Sequence, residues 1–318
     1  MKQAKPFVGR FAPTPSGFLH LGNVFCSLLA WLYAKSSGGK IILRIEDLDP
    51  QRCSIAKADA LAHELEWLGL TWDEGAYVSQ NSLNYFQSQR SEIYAHYFEK
   101  LLASDMVYPC FCSRGELHAA EAPHASDGRV IYSGTCSNLT QDERTAKAKI
   151  RKPAWRVRTD NKPISFADAH YGIQSFNLAQ ECGDFIVRRS DGIYAYQLAV
   201  TVDDALMAVT QVVRGSDLLS STPMQIYLYQ LFGFTPPAFC HIPLLTDTDG
   251  RRLSKRDGDL EISQLRKRIG SPEPIIGLLA YLAGQIDKPE ALKAEDLLPI
   301  FDKTKIPTHN IVVPKELF

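Results

Sequence analysis

Two stretches of this 318-residue chain carry the residue types that phosphate chemistry needs. The first is Arg10-Phe11-Ala12-Pro13-Thr14-Pro15-Ser16-Gly17-Phe18-Leu19-His20-Leu21-Gly22-Asn23. An apolar strand ends, a Pro/Gly loop turns, and His20 falls at the start of an apolar helix. The first N–H groups of a helix lack intrahelical partners and carry partial positive charge, which suits a phosphate. His20 adds a donor, and Gly22 lets a nucleotide approach the backbone closely. The second stretch is Arg251-Arg252-Leu253-Ser254-Lys255-Arg256-Asp257-Gly258. A mobile loop carrying Lys255 can close over a triphosphate and neutralise charge that grows in the transition state. Taken singly, each stretch also reads as ordinary structure: a turn with a helix-capping histidine, and a solvated basic turn.

A third group is Cys110-x-Cys112 followed by Tyr132-x3-Cys136. Zinc takes four ligands in a tetrahedron, and closed four-ligand sites are structural. Three thiolates leave one position, for which Tyr132, His118, His124 or water compete. Buried free thiols are the alternative. The chain has seven cysteines. An odd number in a chain of this size argues against a disulfide framework and for a reducing, cytoplasmic setting.

These residues need elements to hold them. Residues 7–11 read as a buried strand, 22–35 as a helix apolar on most sides, and 41–45 as a second strand. That βαβ opening favours a parallel sheet with right-handed crossovers. Helices are expected over 54–68 and 82–103. Residues 108–136 show little periodicity, and 154–158 and 164–167 read as strands of an insertion. Ser190-Asp191-Gly192 predicts a hairpin between 185–188 and 193–197. A strand over 210–213, a helix near 223–232, and helical patterns over 260–269 and 273–283 follow. The sheet is therefore expected to be split by an insertion.

Lys plus Arg total 35 and Asp plus Glu 36, a net charge of −1. A chain coating itself in nucleic acid through bulk charge would be strongly basic, so any such contact must use local patches. Basic clusters at 147–158, Arg188-Arg189 and Arg266–Arg268 are candidates, with solvated faces as the alternative. Hydrophobic residues at 45% allow a real core. The longest apolar stretches fall short of the ~20 residues of a membrane span, and residues 1–9 do not resemble a signal peptide.

Together the two loops resemble the paired HIGH and KMSKS signatures of class I aminoacyl-tRNA synthetases, here His20-Leu21-Gly22-Asn23 and Arg252-Leu253-Ser254-Lys255-Arg256. Asn23 replaces the second His, and Arg252 and Leu253 replace the first Lys and the Met. Further stretches are similar to the glutamyl-tRNA synthetase group: Arg44-Ile45-Glu46-Asp47-Leu48-Asp49, residues 67–75, residues 196–204 leading to Arg214-Gly215, and Tyr108-Pro109-Cys110-Phe111-Cys112. The resemblance covers roughly residues 7–258. It implies an α/β fold: a Rossmann-type parallel sheet split by a zinc-containing insertion, with a small helical C-terminal region and no anticodon-binding domain. The corresponding boundaries are 1–105 and 185–245 for the halves, 106–184 for the insertion and RNA-contact region, and 246–318 for the loop and C-terminal region.

Glutamate brings an ammonium and two carboxylates. Arg10 and Arg214 can each fork onto a carboxylate, Glu46 can hold the ammonium, and Tyr196 and Thr14 can add polar contacts. By resemblance the glutamate pocket comprises Arg10, Phe11, Ala12, Pro13, Thr14, Glu46, Tyr196 and Arg214. An internal Glu46–Arg ion pair is the alternative for Glu46. His20, Gly22, Asn23, Ser254 and Lys255 are implied to bind MgATP, with His20 and Lys255 acting in catalysis. A short relative of the glutamyl enzymes is similar in the Cys-x-Cys and Tyr-x3-Cys pattern, which implies one structural zinc on Cys110, Cys112, Tyr132 and Cys136.

Length then matters: 318 − 255 = 63 residues follow Lys255, below the typical ~100–150 of a domain. The resemblance therefore narrows to the truncated branch of the family. That branch implies tRNA-independent activation of glutamate and its transfer to queuosine in the anticodon of tRNA(Asp). A monomer with no membrane contact is expected. A compact enzyme charging the tRNA 3′ end and a non-catalytic tRNA-binding paralogue are the competing readings.

Overall fold

The computed structural model describes residues 6–113, 115–116, 131–253 and 260–313. The chain opens with β1 (Val8–Phe11), α1 (Leu21–Lys35) and β2 (Lys40–Leu43). β1 and β2 are parallel, with Val8 opposite Lys40 and Phe11 opposite Leu43. After α2 (Ile55–Trp67), the short β3 (Glu74–Gly75) joins the far side of β2, again parallel. The apolar residues of α1 occur on more than one face, and the helix is accordingly buried nearly all round, Leu21, Val24, Leu28, Leu29 and Leu32 all having no exposure.

The helix expected over 82–103 begins only with α3 (Ser91–Ala103). Residues Ser82–Tyr85 and Gln87–Gln89 form 3-10 turns instead. Ile45 draws this segment alongside the end of β2: its N–H donates to Tyr85 O, and Gln87 N–H donates back to Ile45 O. A continuous helix could not make that exchange.

β4 (Val107–Cys110), α4 (Gln141–Ile150) and β5 (Ala154–Val157) follow, then the antiparallel pair β6 (Pro163–Asp168) and β7 (Gly172–Asn177), α5 (Leu178–Glu181) and β8 (Ile186–Arg188). β4, β5 and β8 make an antiparallel three-stranded sheet. The turn at Gly192 exists, but the hairpin's second strand does not: Arg188 and Tyr194 form only an isolated bridge. α6 (Tyr196–Leu206) takes over at once. Leu198, Ala199 and Val202 sit at helical spacing and are fully buried, so burial of a helical stripe overrides the short β-like run.

The second half-sheet comprises β9 (Gln211–Gly215) and β10 (Ala238–Ile242), parallel and joined through α7 (Thr222–Phe232). β6 continues this sheet through a single register pair, Asp168 opposite Phe239. The halves meet at β1 and β9, where Thr210 N–H donates to Val8 O at 2.9 Å and Val8 N–H to Thr210 Oγ1 at 2.8 Å. β11 (Leu245–Thr246), α8 (Ile262–Ile269), α9 (Glu273–Leu282) and β12 (Ile311–Val312) complete the described chain. β12 lies parallel to β11, with Leu245 opposite Ile311 and Thr246 opposite Val312. No helix among the described residues is long and apolar enough to cross a membrane.

Candidate active site

A cleft of about 500 Å3 opens at the carboxyl ends of β1 and β9. Ligands of open parallel α/β sheets gather at such ends. Arg10, Phe11, Ala12, Pro13, Thr14, His20, Gly22, Asn23, Glu46, Tyr196 and Arg214 all line it. Ser254 and Lys255 lie outside the described residues. The chain on either side of them is in place: Leu253 lines the cleft and donates its N–H to Leu245 O. On return, Glu261 bridges to His20 and Ile262 N–H donates to Leu19 O. The basic loop therefore starts and ends against the cleft.

His20 is the N-cap of α1 and is 5% exposed. Its N–H donates to Asn23 Oδ1 at 3.2 Å, so Asn23 closes the helix end as well as lining the cleft. Gly22 has a specific reason to lack a side chain: a Cβ there would stand 3.1 Å from the His20 ring.

The charges are arranged in a buried network. Arg44, with no exposure, donates to Asp204 Oδ1 at 2.7 Å and Glu46 Oε1 at 3.1 Å, and stands 3.7 Å from Asp203. Asp203 also accepts from Arg90, Tyr94 and Gln87. Arg10 lies 3.6 Å from Asp204 and donates to Val213 O. Glu46 is thus both ion-paired internally and part of the cleft wall. Burial holds its carboxyl above the ordinary value, partly offset by Arg44 and Arg10. Burial and the Glu46 charge push the Tyr196 phenol up, keeping it a donor. Asp203 and Asp204 act as supports for the arginines.

Arg214 is held on three sides. Its Nε–H donates to His241 Nε2 at 3.0 Å, and its Nη2 donates to Thr222 Oγ1 at 2.7 Å and Leu218 O at 3.5 Å. Nη1 is buried with no partner among the described residues. Arg44, Asp168, His241 and Thr222 were not singled out from the sequence. Arg44 sits inside the quoted Arg44–Asp49 stretch, and its cationic type at a strand end beside Glu46 was the available signal. Asp168 and His241 carried none, being single residues far apart in sequence.

Glu64, on α2, is 7% exposed and accepts the Leu19 N–H at 3.2 Å, directly before His20. Burial and the charge of Glu261 raise its carboxyl to about 7, against the Leu19 N–H and Arg266. Raised above the 4.5 of the free group, it contributes stability when protonated: fully present below 4.5, lost as pH rises through about 7. Glu64→Gln should therefore unfold a few degrees higher than the parent at pH ~8, with the gap closing at acid pH. Thermal unfolding across that range checks it, and a pH-independent gap would contradict it.

The three thiols of Cys110, Cys112 and Cys136 lie within 4.8 Å of one another. The Cys112 and Cys136 sulfurs are 3.6 Å apart, and Tyr132 Oη is 3.4 Å from Cys110 Sγ. Zn–S bonds of ~2.3 Å on a tetrahedron place sulfurs about 3.8 Å apart, so this donor set fits a zinc ion. Tyr132 Oη also accepts the Cys136 N–H at 2.8 Å, and Arg156 lies 3.7 Å over its ring. Gly183, at φ +65°, packs where a Cβ would be 2.3 Å from Tyr132 O. His118 and His124 lie outside the described residues.

Several basic residues expected to meet RNA are engaged internally. Arg156 bonds Asp184 O, Arg158 covers Tyr108, Arg188 covers Phe98 and Tyr194, Arg189 pairs with Asp49 and Asp191, and Arg266 covers Trp67. Lys147, Lys149, Lys152, Lys267 and Arg268 stand exposed.

A split parallel sheet, a histidine-capped helix at its carboxyl edge and a basic loop returning to that histidine define a class I aminoacyl-tRNA synthetase core. The model described as tRNA synthetases class I (E and Q), catalytic domain, matches residues 7–314, and the chain belongs to this family. Within it, the chain is 48% identical to the Glutamyl-Q tRNA(Asp) synthetase of Symbiobacterium thermophilum over 97% of this chain and 96% of that one. It is 45% identical to the protein of the same name from Nitratidesulfovibrio vulgaris, with the same coverage. Among solved structures, a glutamate tRNA ligase from Elizabethkingia meningosepticum in complex with its amino acid superimposes with a TM-score of 0.82. The two are 28% identical, over 98% of this chain and 68% of that one.

Proposed function

We propose that this protein activates glutamate with ATP, without tRNA, and transfers it to queuosine in the anticodon of tRNA(Asp). The observation that carries the reading is the convergence of Arg10, Arg214, Glu46 and Tyr196 on one cleft beside the α1 N-terminus. Two cations match two carboxylates, and one anion matches the ammonium. The choice of acceptor rests on the near-full-length relatives named for it.

The carboxylate of glutamate attacks the α-phosphorus of ATP, and pyrophosphate leaves. Magnesium, bound with ATP, supplies charge neutralisation on the phosphates. His20, the first N–H groups of α1 and Lys255 stabilise the negative charge of the transition state, while Gly22, Asn23 and Ser254 complete the nucleotide site. Catalysis is positioning and electrostatics rather than covalent chemistry by the protein. A hydroxyl of the queuosine cyclopentene ring then attacks the acyl carbonyl, losing its proton, and AMP leaves.

The test is glutamate-dependent ATP–pyrophosphate exchange without tRNA, followed by labelled glutamate transfer to tRNA(Asp) with and without queuosine. Exchange and transfer to the queuosine form alone are expected. Transfer to queuosine-lacking tRNA(Asp) would instead indicate charging of the 3′ end, and loss of exchange would indicate a binding protein.

Cys110, Cys112, Tyr132 and Cys136 are the proposed ligands of one structural zinc, which pins the β4–β5–β8 sheet and requires thiols kept reduced, as in the cytoplasm. Cys110→Ser should bind zinc at least ~10-fold more weakly. Metal analysis after dialysis reads this directly, and full zinc stoichiometry in the variant would remove the assignment.

A further inference from the structure

Arg214 is oriented by residues that reach it from two other elements. His241, on β10, has no exposed surface. Its Nε2 accepts the Arg214 Nε–H at 3.0 Å, and its Nδ1 lies 2.6 Å from Asp168 Oδ2. Since Nε2 accepts, the ring proton sits on Nδ1 and is donated to Asp168. Asp168 is itself fixed at the end of β6 by the N–H groups of His170, Tyr171 and His241 at 2.9–3.1 Å. Thr222 and Leu218 hold Nη2. Nη1 alone is left without a partner among the described residues, on a side chain that lines the cleft.

We propose that Asp168 and His241 are positioning residues for substrate glutamate: Asp168 fixes the Nδ1–H tautomer of His241, and His241 fixes the Arg214 guanidinium so that Nη1 is the donor reserved for a substrate carboxylate. The proposal rests on the glutamate reading of the cleft. Burial and the Arg214 charge hold His241 below its ordinary pKa against the pull of Asp168, in keeping with a neutral ring. A protonated Nε2 would confront the Arg214 Nε–H, donor against donor and cation against cation. A hydrophobic residue at position 241 would leave the Arg214 Nε–H without its acceptor and the guanidinium held only through Nη2 by Thr222 and Leu218, and the orientational order lost is order that glutamate binding would then have to restore.

His241→Asn and His241→Gln separate the two contacts. Asn reaches the Nδ1 position and can still donate to Asp168, but it offers nothing at Nε2. Gln places its carbonyl oxygen near the Nε2 position and can still accept from Arg214. In exchange assays, His241→Asn should raise KM for glutamate about tenfold, with KM for ATP changed less than about twofold. His241→Gln should recover most of the loss. Equal KM values for glutamate in both variants, or parallel shifts for glutamate and ATP, would overturn the proposal. The tautomer is read independently by nitrogen-15 NMR of histidine-labelled protein: Nδ1–H is expected, and an Nε2–H tautomer would overturn it. Exchange in the parent protein that does not require glutamate would overturn the reading of the cleft itself. Glutamate-dependent exchange with unchanged KM in His241→Asn would overturn the positioning role alone.

Discussion

Arg214→Met is expected to lower kcat/KM for glutamate in pyrophosphate exchange by about 10^3-fold. The side chain is 5% exposed and lines the cleft with one buried nitrogen unpartnered. Methionine fills similar volume without the charge, so a substrate carboxylate would enter a site with no matching cation. Losing one partner of a buried charge pair costs roughly 2–5 kcal/mol, and ~4 kcal/mol corresponds to ~10^3 in rate. The loss should fall on glutamate and leave KM for ATP nearly unchanged, because the proposed nucleotide site is at His20 and the α1 N-terminus instead. Exchange kinetics at varied glutamate and varied ATP check both halves. A variant within tenfold of the parent would show that Arg214 does not carry a substrate carboxylate.

Arg44→Met is expected to act through folding. Arg44 is wholly buried among Asp204, Glu46 and Asp203. Removing it leaves acids facing each other with their shared cation gone, which for buried pairs costs ~3–5 kcal/mol. The deficit should depend on pH. Glu46 is already held above the ordinary carboxylate range by burial, and Arg44 opposes that. Without Arg44 its folded pKa rises further above its unfolded value. The stability this proton uptake supplies is present at low pH and disappears as pH rises through the folded value. The variant should therefore be closest to the parent in acid and farthest from it at neutral pH, as read by denaturant unfolding at several pH values. A constant deficit would place the effect in packing rather than charge.

Much of the site was legible because it is local in sequence. Residues 10–23 are one strand, turn and helix, and the residue types within them suffice to place His20 at a helix N-terminus. Glu46 is picked out by the resemblance of residues 44–49 and by the need for an anion opposite an ammonium, and it lies just past the end of β2. What was not legible depends on pairings across the chain. Asp168, His241 and Arg214 come from three strands, and their relation appears only once β6 is laid beside β10 at Asp168–Phe239. The same holds for β10, whose identity rests on its five-residue register with β9. The pattern of residues 82–90 predicts helix, and what overrides it is tertiary: the backbone bonds of Ile45 to Tyr85 and Gln87. α4 is hidden in the sequence for the opposite reason: it buries nothing, so it has no apolar stripe. Its signal was the Thr140–Glu143 capping box, with Glu143 Oε2 accepting the Thr140 N–H at 2.7 Å.

The pairing of β11 with β12 has a consequence for when the enzyme comes into being. β11 forms the root of the basic loop, and Leu244, Leu245 and Thr246 are held by Ile311 and Val313. A ribosome delivers residues at roughly 5–20 per second, so the sheet halves and the histidine-capped helix can exist seconds before residues 311–313 emerge. During that interval β11 lacks its partner strand. The core that buries α1 also takes in Ile306, Ile311 and Val313, so the helix under the cleft and the root of the basic loop both reach their final packing only when the last described residues have been made.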